Sequence, residues 1–191
     1  EFGEGSFTVL GPTQIRDDSN NNSVVVRLDY GDTSFLFTGD AEAKEEKDII
    51  AANEDLYCDV LSVGHHGSAS STSWDFLEAV LPEYAVISCG VNNSYGHPDP
   101  DTIEKLESIE AQIFRTDLQG NIIAISDGET ITWNNVPSNG DVLYAADFVS
   151  VKEEPNDTSS TVGELGPGNQ IQVLNRNDND WATIVFNGAT T

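Results

Sequence analysis

The sequence has no methionine, only two cysteines, only three histidines and only eight lysines and arginines in 191 residues. Because EFGEGSF does not resemble a natural start, we expect a segment of a longer protein. Two cysteines are too few for a disulfide scaffold. No apolar run approaches the ~20 residues of a membrane span, and no signal segment opens the chain. What remains is a globular chain, since 38% hydrophobic residues suffice for a core.

The shortage of cations leaves the chain strongly acidic, with 33 aspartates and glutamates and a formal net charge of −25. Such a surface repels nucleic acid and anionic membranes beyond the screening length. The ordinary interpretation of this charge is solubility. Nucleic acid is therefore a disfavoured partner rather than an excluded one.

Two cysteines are predicted near opposite ends of neighbouring strands. Cys58 and Cys89 would then lie on the order of 15 Å apart, beyond the ~7 Å limit between the Cα atoms of a disulfide. Both are predicted to be free, which leaves the redox compartment open.

The first two thirds of the chain alternate strand and helix patterns. Residues 23–40 predict a hairpin around YGDT. Helices are then predicted at 41–53, 71–81 and 100–111, and buried strands at 58–64 and 84–90. This order predicts parallel strands with right-handed crossovers. The runs QIFRT, NIIAIS and TITW are predicted to finish the region as antiparallel strands.

Polar side chains follow three successive predicted strands. Asp40 follows the first, His65 and His66 follow the second, and His97 lies in the loop after the third. Ligands of parallel sheets sit beyond the carboxyl ends of the strands, and neighbouring strands lie ~4.8 Å apart. We therefore expect Asp40 to meet the histidine pair, with His97 on the same side.

Each of these residues also has an ordinary structural explanation. Taken alone, Asp40 is better explained as a helix cap, and a turn histidine can simply be satisfied by backbone. Adjacent side chains diverge, so His65 and His66 should do different jobs, one as a metal ligand and one as a proton donor or phosphate contact. For His97, between Gly96 and Pro98, packing and function are equally favoured.

The ligand types limit the metal but do not name it. Oxygen and imidazole donors suit zinc, manganese or iron, and no thiolate is well placed. Asp40 and three histidines are enough for one weak site and too few for two metals. Asp99 and Asp101 are predicted to cap the helix that begins near residue 100 rather than to bind metal.

Three stretches carry a family resemblance over about residues 6–133: SVVVRLDYGDTSFLFTGDAE, DVLSVGHHGSASSTSWDFLEAVLPEYAVISCGVNNSYGHP and IFRTDLQGNIIAISDGETITW. They resemble the C-terminal half of the metallo-β-lactamase fold in ComEC-type competence proteins and phosphorylcholine esterases. HHGS, beginning 25 residues after the aspartate of TGD, is the specific signal. The implied fold is α/β, half of an αββα sandwich, in a hydrolase domain at residues 1–137.

The resemblance also implies roles for the four candidate residues. Asp40 would bridge two metal ions, most simply zinc, with manganese or iron as alternatives. His66 would complete one ligand set, His65 would contact the phosphate or protonate the leaving group, and His97 would lie at the active-site rim. We therefore assign Asp40 and His66 to the metal and His65 and His97 to catalysis.

The chain departs from the family in lacking the HxHxDH metal motif of the first half of the fold. Its remaining ligands would lie upstream, and the sheet face that the absent half covers would be exposed. This segment alone should therefore be inactive, and it should fold poorly or need a partner.

A run of proline, serine, asparagine and glycine precedes a tail of short strand-like pieces, so a second domain is predicted at 138–191. Residues 142–191 resemble a bacterial SH3-like barrel that lacks its last strand. The resemblance implies anchoring to cell-wall peptide or peptidoglycan, at the cell surface or outside the cell. Trp181 is equally compatible with a core and a ligand-binding role.

Two functions are compatible with these features of the sequence. The first is a metal-dependent phosphodiesterase whose substrate is a teichoic-acid-like polymer, nucleic acid or another ester, although long DNA is disfavoured by charge. The second is a non-catalytic surface protein that binds through its tail. An HxHxDH run upstream of Glu1 would exclude the second.

Overall fold

The computed structural model describes residues 5–135, 137–138, 142–154, 156–167, 169–176, 181–186 and 189–190. The chain divides into two compact units, Glu1–Ser138 and Asn139–Thr191. Within the described segments, no helix has both the length and the apolar character needed to cross a bilayer.

A six-stranded mixed sheet forms the centre of the first unit. Its strands, in both chain and spatial order, are β1 (Gly5–Gly11), β2 (Val25–Tyr30), β3 (Thr33–Phe37), β4 (Val60–Ser62), β5 (Tyr84–Ile87) and β6 (Gln112–Arg115). β1, β2 and β3 are antiparallel, and β3 to β6 are parallel. The predicted hairpin and the predicted parallel strands are therefore confirmed.

The direction predicted for β6 was wrong. This strand runs parallel to β5, with Ile113 beside Ala85, rather than antiparallel. The preceding helix carries the chain back across the sheet, so the next strand runs in the same direction as the last. The antiparallel prediction is correct only for the small hairpin of β7 (Ala124–Ser126) and β8 (Ile131–Trp133).

The helices of the first unit differ in whether a side chain caps their first turn. They are α1 (Ala43–Ala52), α2 (Trp74–Val80), α3 (Pro100–Ser108) and the single turn α4 (Thr116–Gln119). The hydroxyl of Ser73 accepts the amide of Phe76 at the start of α2. The carboxylate of Asp99 accepts the amide of Asp101 at the start of α3, so Asp99 is the predicted cap.

One face of the sheet packs against the helices and forms the core. Strand side chains Leu36, Leu61 and Ile87 are at most 1% exposed. Helical side chains from the same cluster cover them: Ile49, Phe76, Leu77, Val80 and Leu106. Cys58 is buried at the edge of this core, and neither it nor Cys89 forms a disulfide, as predicted.

The opposite face of the sheet is only partly covered. Trp133 of β8 stacks on Phe114 of β6, with ring centroids 4.1 Å apart. Between this hairpin and the sheet lies an apolar cleft of about 540 Å³, lined on the sheet side by Leu28, Tyr30, Phe35, Phe37, Val60 and Val86. This face of the sheet is therefore less completely covered than the face that packs against the helices.

The second unit consists of short strands. They are β9 (Val142–Tyr144), β10 (Val149–Lys152), β11 (Thr161–Leu165), β12 (Gln170–Arg176), β13 (Ala182–Phe186) and β14 (Ala189–Thr190). β10 pairs with β11, and the other four form a sheet in the order β14-β13-β12-β9. Trp181 is half-buried. Parts of the predicted SH3-like region, at 177–180, 187–188 and 191, lie outside the described residues, and the barrel stays a prediction.

Candidate active site at the carboxyl ends of the parallel strands

Hydrogen bonds connect the turns that follow β3 and β4. The hydroxyl of Thr38 donates to the carbonyl of Ser62 at 2.7 Å, and the amide of His65 donates to the carbonyl of Gly39 at 2.9 Å. Gly64 allows this approach, since a Cβ there would lie 3.2 Å from the carbonyl oxygen of Ala41. The two predicted motifs are therefore held side by side.

The two adjacent histidines occupy an unusual backbone conformation. His65 and His66 have φ angles of 48° and 58°, inside a 3-10 turn from Gly64 to Gly67. Left-handed backbone costs a non-glycine residue on the order of 1 kcal/mol, and such residues cluster at active sites and ligand clamps. The strain therefore supports a functional hypothesis for this turn.

Asp40 and His66 meet across the gap between the two strand ends. The Nε2 atom of His66 lies 3.6 Å from Oδ1 of Asp40, and both side chains are about half exposed. Nδ1 of His66 lies 2.7 Å from the carbonyl oxygen of Ser88. Because a carbonyl only accepts, Nδ1 carries a proton, and Nε2 is the ring nitrogen that faces Asp40.

The helix-cap interpretation of Asp40 is wrong. α1 begins at Ala43, and the position before it is Glu42, so Asp40 precedes the helix. The amide of Asp40 donates to the hydroxyl of Ser23, while its carboxylate faces His66. The chain makes an extra turn before the helix, which leaves this carboxylate at the sheet edge.

His65 contacts a different set of partners. Its Nδ1 lies 3.3 Å from the hydroxyl oxygen of Ser70 and 3.4 Å from Oε1 of Glu42. Its ring is 6.2 Å from the ring of His66, centroid to centroid. The neighbouring histidines therefore serve different surroundings, as their adjacency predicts.

His97 reaches the same site through a close contact between two loops. Gly67 has a φ of 84°, and a Cβ there would lie 2.6 Å from Cβ of Pro98. The amide of Asp99 donates to the carbonyl of Gly67. The ring of His97 consequently lies 5.8 Å from that of His65. The structure thus brings together all four candidate residues.

A cavity of about 340 Å³ opens beside these histidines, lined by His66, Ser88, Cys89, Gly90, Asn93, Tyr95 and His97. Tyr95 is 83% exposed and lies parallel to His97 at 5.8 Å. Burial, with Asp117 adding to it, raises the pKa of the Cys89 thiol to about 11. Near pH 7 the Cys89 side chain is therefore a protonated thiol that lines the cavity, rather than a nucleophile.

Sequence reasoning missed several residues of the site. Glu42 carries only a helix-start signal, because acidic residues are common at the first turn of helices. Ser70 lies in a serine-rich turn, where each hydroxyl resembles the next. His66 contacts the backbone carbonyl of Ser88, a group that every residue type has and that the sequence therefore cannot indicate.

The pair of Asp40 and His66 fits part of a metal site. Two ligand atoms ~2.1 Å from a tetrahedral ion are about 3.4 Å apart, close to the 3.6 Å observed. Over the residues that the structure describes, no group of three or more histidine, cysteine, aspartate or glutamate side chains is arranged to hold an ion. Asp40 and His66 are therefore candidate ligands by their spacing alone.

Comparison with known proteins identifies relatives of this segment. It is 38% identical over 117 residues to ComE operon protein 3 of Bacillus subtilis (strain 168), covering 61% of this chain and 15% of that protein. It is 40% identical over 116 residues to Competence protein ComA of Neisseria gonorrhoeae, covering 60% of this chain and 17% of that protein. Recombination protein 2 of Haemophilus influenzae is 40% identical over 118 residues, 61% of this chain and 15% of that protein. The chain spans about a sixth of the length of these relatives.

A family match covers the first part of the site. Residues 5–91, which include Asp40, His65 and His66, match the model of the metallo-beta-lactamase superfamily. The match ends before His97. The mixed α/β architecture, with its central mixed sheet, is consistent with that fold. Residues 5–91 of the first unit are therefore similar to the metallo-beta-lactamase superfamily, and about 60% of the chain is similar to the ComE and ComA competence proteins.

Proposed function

We propose that this chain is part of a metal-dependent phosphodiesterase. The observation that carries the proposal is the meeting of Asp40 and His66 at adjoining strand ends, 3.6 Å apart, with the proton of His66 directed at the carbonyl of Ser88. A backbone carbonyl that fixes the second ring nitrogen is the usual support of a metal-binding histidine. The superfamily match of residues 5–91 supports the same chemistry.

Asp40 and His66 would hold the metal, together with ligands from a part of the whole protein that precedes this segment. The favoured composition is two zinc ions, with manganese or iron as alternatives. When bound, the metal supplies a Lewis acid and an activated water at neutral pH.

The chain's own residues would orient the substrate. His65 is placed to contact a phosphate or to give a proton to the leaving group. The cavity beside His66 provides room for the ester group, with His97 at its rim. Because Cys89 stays a neutral thiol, covalent catalysis by this cysteine has no part in the proposal.

The open sheet face supports the same assignment. A cleft of about 540 Å³, lined by apolar side chains, is a surface that a folded domain normally covers. In the proposal, the preceding half of the fold covers it and also brings the missing ligands. The isolated segment should then bind metal weakly and have no activity.

The substrate is proposed to be a phosphodiester or a related ester. Two relatives carry names that refer to competence and recombination, which favours nucleic acid. The charge of −25 opposes long DNA, because such binding depends on cationic contacts. Short oligonucleotides and teichoic-acid-like polymers are the better candidates, at or outside the cell surface. The tail would hold the enzyme on cell-wall peptide or peptidoglycan.

The test is phosphodiester hydrolysis by the full-length protein. Purified wild type, His65→Ala and His66→Ala are assayed with bis(p-nitrophenyl) phosphate, short oligonucleotides and a teichoic acid, with and without added zinc or manganese. We expect metal-dependent turnover in the wild type, none in His66→Ala and slowed turnover in His65→Ala. A wild type that binds metal and hydrolyses none of these would contradict the proposal and favour the non-catalytic surface protein.

A further inference from the structure

Glu42 is directed away from the helix that it precedes. It occupies the position before α1, yet its side chain makes no capping hydrogen bond to that helix. Its Oε1 accepts the side-chain amide of Asn20 at 3.2 Å and the hydroxyl of Ser70 at 3.0 Å. Its Oε2 accepts the side-chain amide of Asn21 at 3.2 Å. Donors on both oxygens fix the plane of this carboxylate.

The fixed carboxylate lies against His65. Oε1 of Glu42 is 3.4 Å from Nδ1 of His65, and the hydroxyl of Ser70 is 3.3 Å from the same nitrogen. Ser70 therefore contacts both partners, and the three side chains form one polar cluster. The amides of the two asparagines donate into this cluster through the carboxylate of Glu42.

We infer that Glu42 is a positioning residue that holds the ring of His65, with Ser70, so that Nε2 is the atom presented to substrate. A carboxylate beside Nδ1 accepts the N–H of that nitrogen, which fixes the rotation of the ring and leaves Nε2 to face the substrate. The inference rests on the proposed phosphodiesterase, since it assigns Glu42 to the site of that reaction.

The backbone explains why His65 needs such support. Its φ of 48° places the residue in a strained turn, and its side chain keeps about a quarter of its surface exposed. Packing alone holds a partly exposed ring loosely. Removing Glu42 should leave the metal pair of Asp40 and His66 in place but let the ring of His65 turn.

A purely structural role for Glu42 is the competing explanation. An acid beside a helix N-terminus stabilises the helix through its dipole by roughly 0.3–1 kcal/mol. That role would lower stability and all activities together, independently of His65. The experiment must therefore ask whether Glu42 acts through His65.

Kinetics of the full-length protein separate the two roles. We expect Glu42→Ala to lower kcat on bis(p-nitrophenyl) phosphate about 10- to 100-fold, the usual loss for a supporting partner, with KM and metal content unchanged. In a His65→Ala background the same change should lower kcat less than about 2-fold. The matched control is Glu54→Ala, which removes an exposed acid and should leave kcat unchanged.

Three results would overturn the inference. Glu42→Ala could keep the wild-type kcat, or it could lose metal together with activity. In the double variant, the fold-losses of kcat from Glu42→Ala and His65→Ala could multiply. Each would show that Glu42 does not act through His65.

A readout without turnover separates this inference from the proposed function. In ¹⁵N-labelled full-length protein, the ring signals lost in His65→Ala identify the residue. We expect the pattern of a proton held on Nδ1 in the wild type and in Glu54→Ala, and its loss in Glu42→Ala. If this pattern changes while no phosphodiester is hydrolysed, the positioning is correct and the reaction is wrong. If the pattern is the same in Glu42→Ala, the positioning is wrong.

Discussion

The two faces of the six-stranded sheet are formed by the same strands but differ in how far they are buried. On one face, Leu36 and Leu61 are at most 1% exposed beneath the helices. On the other, Phe35 and Phe37 line an apolar cleft, and Phe37 is 44% exposed. Successive side chains of β3 thus point alternately into the buried core and to the partly exposed face.

This difference bears on the proposed need for further metal ligands. The strand ends belong to both faces of the sheet, but only one face has its covering layer. Asp40 and His66 come from the finished half, and no further ligand joins them among the described residues. The proposal that another part of the whole protein completes both the sandwich and the metal site follows from this asymmetry.

The largest expected effect is on the covered face. Leu36→Ala removes a side chain that is 1% exposed and leaves a cavity beneath the helices. We expect the free energy of unfolding to fall by about 3–5 kcal/mol, measured by urea denaturation. A loss below about 1 kcal/mol would show that this face is not a well-packed core.

An intermediate effect is expected at the edge where the two loops meet. Gly67→Ala places a Cβ 2.6 Å from Cβ of Pro98 and keeps a φ of 84°. In the full-length protein we expect the free energy of unfolding to fall by about 1–3 kcal/mol in urea denaturation. Phosphodiester turnover should also fall, because the loop that carries His97 must move.

The matched control for this edge is Gly96→Ala. Gly96 also has a positive φ, of 76°, but a Cβ there would meet nothing within 4 Å. Gly96→Ala should lower the free energy of unfolding only by the cost of a non-glycine residue at a positive φ. Equal losses at both positions would contradict the importance of the contact between Gly67 and Pro98.

The smallest effect is expected on the open face. Leu28→Ala removes the same side chain as Leu36→Ala, but from the wall of the cleft. In this segment we expect the free energy of unfolding to fall by about 1 kcal/mol, since the substitution removes less buried apolar surface than Leu36→Ala does. In a protein extended through the preceding half, the loss should rise to about 2–3 kcal/mol. The same loss in both proteins would argue that the face stays open.

Much of the first unit could be predicted because its patterns are local. The hairpin before Asp40, the alternation of strand and helix and the meeting of Asp40 with His66 all follow from strand order and spacing. The direction of β6 could not be read from its own residues, because a strand of two apolar residues between two polar ones has the same pattern in either direction.

The supporting contacts of the site were beyond sequence reasoning for a different reason. Glu42 acquires its role from Asn20, Asn21 and Ser70, which lie up to 28 residues away in the chain. Nothing local distinguishes it from an ordinary acidic residue before a helix. The strand ends could be paired from topology, but the partners around each ring could not.

Metal content tests the central claim most directly. Inductively coupled plasma mass spectrometry would compare the full-length protein with its Asp40→Ala, His66→Ala and His65→Ala variants, all grown in metal-supplemented medium. We expect close to two transition-metal ions per chain in the wild type, a marked loss in Asp40→Ala and His66→Ala, and retention in His65→Ala. Equal metal loss in both histidine variants, or no bound metal in the wild type, would contradict the central claim.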